Sequence, residues 1–107
     1  MNEVSVSVLD LDWEEAEGYP SGTQRKVLLW SPAKQAKCAL LKLPAGFEMA
    51  GHSHVLAEHH YVLEGEYESL GKRYGAGHYR MIPGHTDHGP FRSQAGAVVL
   101  VMWENRS

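Results

Sequence analysis

A chain of 107 residues, 43% apolar and 21% charged, suffices for one ordinary globular domain, expected to run over 1–107. Ten Lys and Arg against 13 Asp and Glu leave a net charge of -3 with no basic cluster, which argues against a nucleic-acid surface. The longest apolar run, Ala97 to Trp103, falls far short of the roughly 20 residues of a membrane span.

Turn signals recur every ten residues or so: Pro20-Ser21-Gly22, Ser31-Pro32, Pro44-Ala45-Gly46, Glu64-Gly65-Glu66, Gly71-Lys72, Gly75-Ala76-Gly77, Pro83-Gly84 and Gly89-Pro90. Short stretches rich in Val, Leu, Tyr and Ile lie between them, a rhythm that predicts an all-β sandwich or barrel. In chain order, Val4, Val6 and Val8 alternate with Ser5 and Ser7, which predicts a half-buried strand over Glu3 to Leu9. A helical turn is expected at Asp12 to Ala16, capped by Asp10 or Asp12. Strands are expected near Arg25 to Trp30, Lys37 to Leu43, Glu58 to Leu63, Glu66 to Leu70, Gly77 to Ile82 and Ala97 to Trp103. Gly65 reads as a tight reversal between two of them, because glycine supplies the positive φ such turns need.

The single cysteine, Cys38, excludes an intrachain disulfide and a Cys-based zinc site, and reads as a small buried hydrophobe. The Met1-Asn2-Glu3 start lacks the basic flank of a signal peptide, so a cytoplasmic location is expected. Seven histidines stand out, five of them strictly between His52 and His88, which are the other two. Residues two apart on an extended strand share a face, so His52 and His54 project together, and Glu58 follows at an even spacing. His88, beyond the Pro83-Gly84 turn, is the fourth candidate. Three imidazoles and one carboxylate form an N₃O set suited to one divalent ion, Fe(II), Zn(II), Mn(II) or Ni(II), with positions left open for substrate.

The wider spacing resembles a known family. Gly46, five residues, His52, one, His54, three, Glu58, six, Gly65 reproduces the first cupin motif, and Gly77, five residues, Pro83 and then His88 resembles the second. That second motif departs where the family has a glycine two residues after the proline and a final asparagine. Here His85 and Arg92 stand in those places. Within the cupins, the segments Tyr61-Val62-Leu63-Glu64-Gly65, Tyr74-Gly75-Ala76-Gly77 and Arg80-Met81-Ile82-Pro83-Gly84 are similar to the C-terminal domain of ChrR-type anti-sigma factors and to small dioxygenases that cleave β-diketones. The resemblance implies a double-stranded β-helix (jelly-roll barrel), commonly dimeric, with one metal in the barrel mouth.

Beside the ligands, parity puts His60 on the Glu58 face, so it is the candidate catalytic residue, as a hydrogen-bond donor or proton relay. His59 and Tyr61 are expected to point outward, toward packing or a dimer contact; His78 is expected to be exposed, His85 to flank the entrance and Arg80 to be solvated. Trp30, Trp103 and Phe47 read as core or interface residues, and Met49 and Met81 as core or cavity lining. Two functions follow. One is a non-haem Fe(II)-type dioxygenase acting on a small enolisable carbonyl compound. The alternative is a non-catalytic, zinc-binding ChrR-like sensor or small-ligand module; a free-standing anti-sigma role would need a separate sigma-binding domain, whereas 107 residues accommodate only the cupin. A homodimer is expected, because the N-terminal strand lacks an assured partner within the chain.

Overall fold

The computed structural model describes residues 2–54 and 56–104, with the backbone alone for residues 52–54 and 88. A 3₁₀ turn at Val8–Asp10 precedes β1 (Glu14–Glu15), β2 (Gln24–Trp30), β3 (Ala36–Leu43), β4 (Phe47–Met49) and β5 (His52–His54). After these come β6 (Glu58–Ser69), β7 (Lys72–Gly75), β8 (Tyr79–Ile82), β9 (Thr86–His88), β10 (Phe91–Ser93) and β11 (Ala97–Trp103). One sheet runs β1-β2-β3-β11-β6-β10-β4, with β7 and β8 also paired to β6, and β5 with β9 makes a separate two-stranded ribbon. Every pairing in the large sheet is antiparallel. The sheet curls around a core that includes Leu41, Leu43, Phe47, Val62, Tyr67, Phe91, Val99, Val101 and Trp103. The architecture is all-β, as the turn rhythm predicts, and its curled antiparallel sheet is consistent with the jelly-roll barrel that the motif resemblance implies. No helix among the described residues is long and apolar enough to cross a membrane.

The long strand β6 organises the rest. Its first residues pair β8 on one side and β11 on the other; its last residues pair β7 and β10. The expected reversal at Gly65 is absent, and the two strands drawn on either side of it are one. Against β11 the register steps from Val98↔Glu64 to Val99↔Val62, leaving Leu63 as an extra residue in a bulge. Gly65 keeps its positive φ of 70°, but uses it to bend a continuous strand. A Cβ at Gly65 would lie 2.2 Å from the Gly96 carbonyl oxygen, so close backbone approach also demands glycine there.

The N-terminal segment departs from expectation as well. Among the described residues no strand covers Glu3 to Leu9. The Ser7 side chain accepts from the Leu9 N–H and caps the 3₁₀ turn, a local bond that competes with a strand. The edge of β2 is taken by β1, through Glu14↔Arg25 and Glu15↔Gln24, so the helical turn expected at Asp12 to Ala16 is a strand. The Arg25–Glu14 ion pair at 3.0 Å accompanies that pairing. Lys26 then donates to the Val8 carbonyl at 2.8 Å, tying the segment to β2.

Candidate metal centre

Strand alternation delivers Glu58, His60 and Val62 to the concave side of β6 and leaves Tyr61 and Leu63 outside. Past the bulge the parity inverts, so Tyr67 and Ser69 are the inward residues. A chain of polar side chains results. Glu58 is 6% exposed, with Oε1 3.6 Å from Nε2 of His60; Nδ1 of His60 stands 2.7 Å from the Tyr67 hydroxyl. Burial pushes the Tyr67 phenol up to about 12, while the neighbouring Arg80 guanidinium pulls the other way and loses. Apolar residues wall this chain in. Leu41, Phe47, Met49, Phe91 and Val101, with Tyr19, surround a cavity of about 40 Å³ onto which Glu58, His60 and Tyr67 face. That is room for about three waters, so only a compact ligand group fits wholly inside.

Arg80 is the second surprise. Cross-strand pairing sets it opposite His60, on the concave face instead of in solvent. Its guanidinium stacks over Tyr74, 4.3 Å from the ring centroid, and lies 6.0 Å from that of Tyr67. Tyr67 in turn stacks on Tyr74 at 5.3 Å and meets Phe91 edge-on at 5.7 Å. The Arg80 cation is therefore half-buried against aromatic faces, and its buried Nη1 makes no hydrogen bond.

The remaining candidates divide. His52, His54 and His88 fall where side chains lie outside the described residues, but their backbone register is described. In the β5–β9 ribbon His52 pairs directly with His88, and His54 stands two residues along β5, opposite Thr86. Directly paired residues, and residues two apart, occupy the same face of a ribbon, so the three share one face. Among the described residues no three His, Cys, Asp or Glu side chains gather into a ligand set. The donor chemistry nevertheless suits a divalent ion: three imidazole positions on one ribbon face, and a buried carboxylate able to supply an oxygen.

Outside the centre, His59 and Tyr61 point outward as expected, with His59 hydrogen-bonded to Tyr79 and 3.3 Å from Glu104. His78 is exposed, its Nδ1 accepting from the Gly75 N–H at 3.1 Å. His85 is exposed and holds a φ of 61° in the loop before β9. Met49 lines the cavity, whereas Met81 is on the outer face. Phe47 and Trp103 are core, and Trp30 is exposed. Cys38 is half-buried, and burial raises its thiol above the usual range. Tyr67 escaped the sequence reading because the bulge between Val62 and Gly65 reversed the alternation. Arg80 was misassigned because cross-strand register is not written in a single strand.

A curled antiparallel sheet with histidine positions on a ribbon and a buried carboxylate facing an apolar cavity defines a cupin. The chain belongs to the ChrR Cupin-like domain family, whose profile matches residues 1–106. Among solved structures it is similar to a candidate acetylacetone dioxygenase of Methylibium petroleiphilum, at 19% identity and a TM-score of 0.82, covering 96% of this chain and 77% of that one. An acetylacetone dioxygenase from Acinetobacter johnsonii matches at 18% identity and 0.72, over 96% of this chain and 74% of that one. A chain of the complex between SigE and the anti-sigma ChrR of Rhodobacter sphaeroides matches at 22% and 0.70, over 92% of this chain but only 52% of that one. No curated protein sequence matches.

Proposed function

We propose that this cupin binds one divalent metal ion through His52, His54, Glu58 and His88, and acts as a non-haem Fe(II)-type dioxygenase on a small, enolisable, β-diketone-like carbonyl compound. The observation that carries the reading is the buried Glu58–His60–Tyr67 chain at the wall of an apolar cavity. A carboxylate and an imidazole held side by side at a cavity wall are the groups that metal binding and proton transfer use. The likeness to two acetylacetone dioxygenase structures supports the substrate class. When bound, Fe(II) would polarise a chelated carbonyl and supply redox chemistry that zinc lacks. The protein's own part is positional. Leu41, Phe47, Met49 and Phe91 exclude water from the reacting group, Glu58 contributes negative charge, and His60 holds a proton next to it.

The chain forms a homodimer in this reading. The outer faces of β6, β8 and β11 bear exposed Tyr61, Leu63, Tyr79, Met81 and Met102, which register brings side by side through Tyr61↔Tyr79, His59↔Met81 and Met102↔His59. Such a contiguous apolar face fits a second copy.

Oxygen uptake by Fe(II)-loaded protein tests the function. Uptake is expected only when a β-diketone or a related chelating carbonyl is added, and none is expected from the Zn(II) form. No uptake across a broad carbonyl panel, together with tight Zn(II) binding, would replace the enzyme by the alternative, a non-catalytic zinc-binding sensor or small-ligand module.

A further inference from the structure

The polar chain behind Glu58 has a direction. A neutral imidazole carries one proton, on Nδ1 or on Nε2, and its partners decide which. Tyr67 faces Nδ1 of His60 at 2.7 Å, and Glu58 faces Nε2 at 3.6 Å. The phenol is 2% exposed and holds its proton to about pH 12, so at working pH it has a proton to give. Its other polar neighbour is a pure donor group: the Arg80 guanidinium, stacked over Tyr74 and 6.0 Å from the Tyr67 ring centroid, acts on the phenol through its charge and a hydrogen bond and has no acceptor to offer. A cation there draws the phenol's lone pairs toward itself and leaves the O–H to point away, at His60.

We propose that Tyr67 is a positioning residue that holds His60 in its Nε2–H tautomer, so that the imidazole presents a proton, not a lone pair, to Glu58. At 3.6 Å the His60–Glu58 contact is longer than a formed hydrogen bond. Its sign therefore depends on which pole of the ring faces the carboxylate. The Nε2–H tautomer attracts Oε1 and restrains the carboxylate; the opposite tautomer sets lone pair against negative charge. Arg80 and Tyr74 act through Tyr67, as the packing that orients its hydroxyl. The consequence for metal binding rests on Glu58 being a ligand, but the tautomer itself does not.

The experiment is a long-range proton–nitrogen correlation on the uniformly ¹⁵N-labelled full chain without metal, at pH 8.5, about two units above the ordinary imidazole value of about 6.5. His60 of the unsubstituted protein is expected to show a protonated Nε2 and an unprotonated Nδ1. Tyr67→Phe keeps the ring contacts with Tyr74 and Phe91 and removes only the donor, so the two nitrogens should become more alike as both tautomers populate. A protonated Nδ1 in the unsubstituted protein, or an unchanged His60 pattern in Tyr67→Phe, overturns the proposal; the first readout needs no variant to fold. The second measurement is Zn(II) affinity by competition with a chelator. Tyr67→Phe should weaken it about tenfold, the low end of what loss of a ligand-orienting partner costs. Tyr79→Phe, the matched loss of a phenol on the outer face, should leave it unchanged. Equal affinity of Tyr67→Phe and the unsubstituted chain overturns the positioning role. If the unsubstituted chain binds no Zn(II) while its His60 is the Nε2–H form, the metal reading fails and the tautomer assignment stands.

Discussion

Gly65 and Gly96 meet back to back where the sheet bends, and the contact leaves no space for a methyl group. Gly65→Ala would drive a Cβ to 2.2 Å from a backbone oxygen at a φ of 70°, so we expect a loss of at least about 2 kcal/mol in urea unfolding. Gly77→Ala, at a φ of 90° but with open space around it, should cost about half that. Tyr67 gives a second residue-level outcome. Its folded value of about 12 exceeds the ordinary 10, so the unfolded chain ionises first. The stability this contributes is complete below pH 10 and drains as pH rises toward 12. Two pKa units correspond to about 3 kcal/mol. Urea midpoints of the unsubstituted chain should therefore fall more steeply than those of Tyr67→Phe between pH 10 and 12; parallel curves would show that the phenol is not held protonated. At this scale the sequence was uneven. Histidine and glutamate spacing announced the candidate ligands, because few sequences place such donors at intervals of two and four. Tyr67 was not singled out and Arg80 read as a surface cation, since their roles come from pairing with His60, 7 and 20 residues away.

At the scale of elements, one strand does most of the positioning. β6 carries Glu58, His60 and Tyr67, and the bulge at its centre is what lets an odd and two even positions face one cavity. The turn rhythm located β2, β3, β8 and β11 well, because each is an apolar stretch between successive turn signals. The short β4, β7 and β10 passed unread: three or four residues are too few to show a period. The N-terminal Val-Ser alternation misled for the opposite reason, since the pattern of a strand does not create a partner for it. The β5–β9 ribbon pairs within itself, apart from the large sheet that carries core residues Leu41, Val62, Val99 and Val101. His54→Ala should therefore abolish stoichiometric metal uptake, read by elemental analysis, while the β circular-dichroism signal persists. Collapse of that signal would mean that the ion holds the barrel together.

For the whole molecule, curling the sheet makes an inside and an outside with different tasks. The concave side gathers a polar chain within apolar walls; the convex side leaves Tyr61, Tyr79, Met81 and Met102 exposed. Replacing Tyr61 and Met81 together with Lys should convert a dimer into a monomer in sedimentation velocity at micromolar concentration, with the fold intact. A monomer before substitution would refute the dimer. The class of fold was legible in the turn rhythm and the two motifs because both are local. Which face a residue occupies was not, because bulges and register are set by pairing between distant segments. The central claim, a mononuclear centre at the ribbon, is tested most directly by anomalous diffraction from crystals grown with Mn(II) or Zn(II). One ion is expected, with a nitrogen of each of His52, His54 and His88 at about 2.1 Å and a Glu58 oxygen at a similar distance. An ion lying more than about 3 Å from any of those three histidines, or bound elsewhere on the chain, would contradict it.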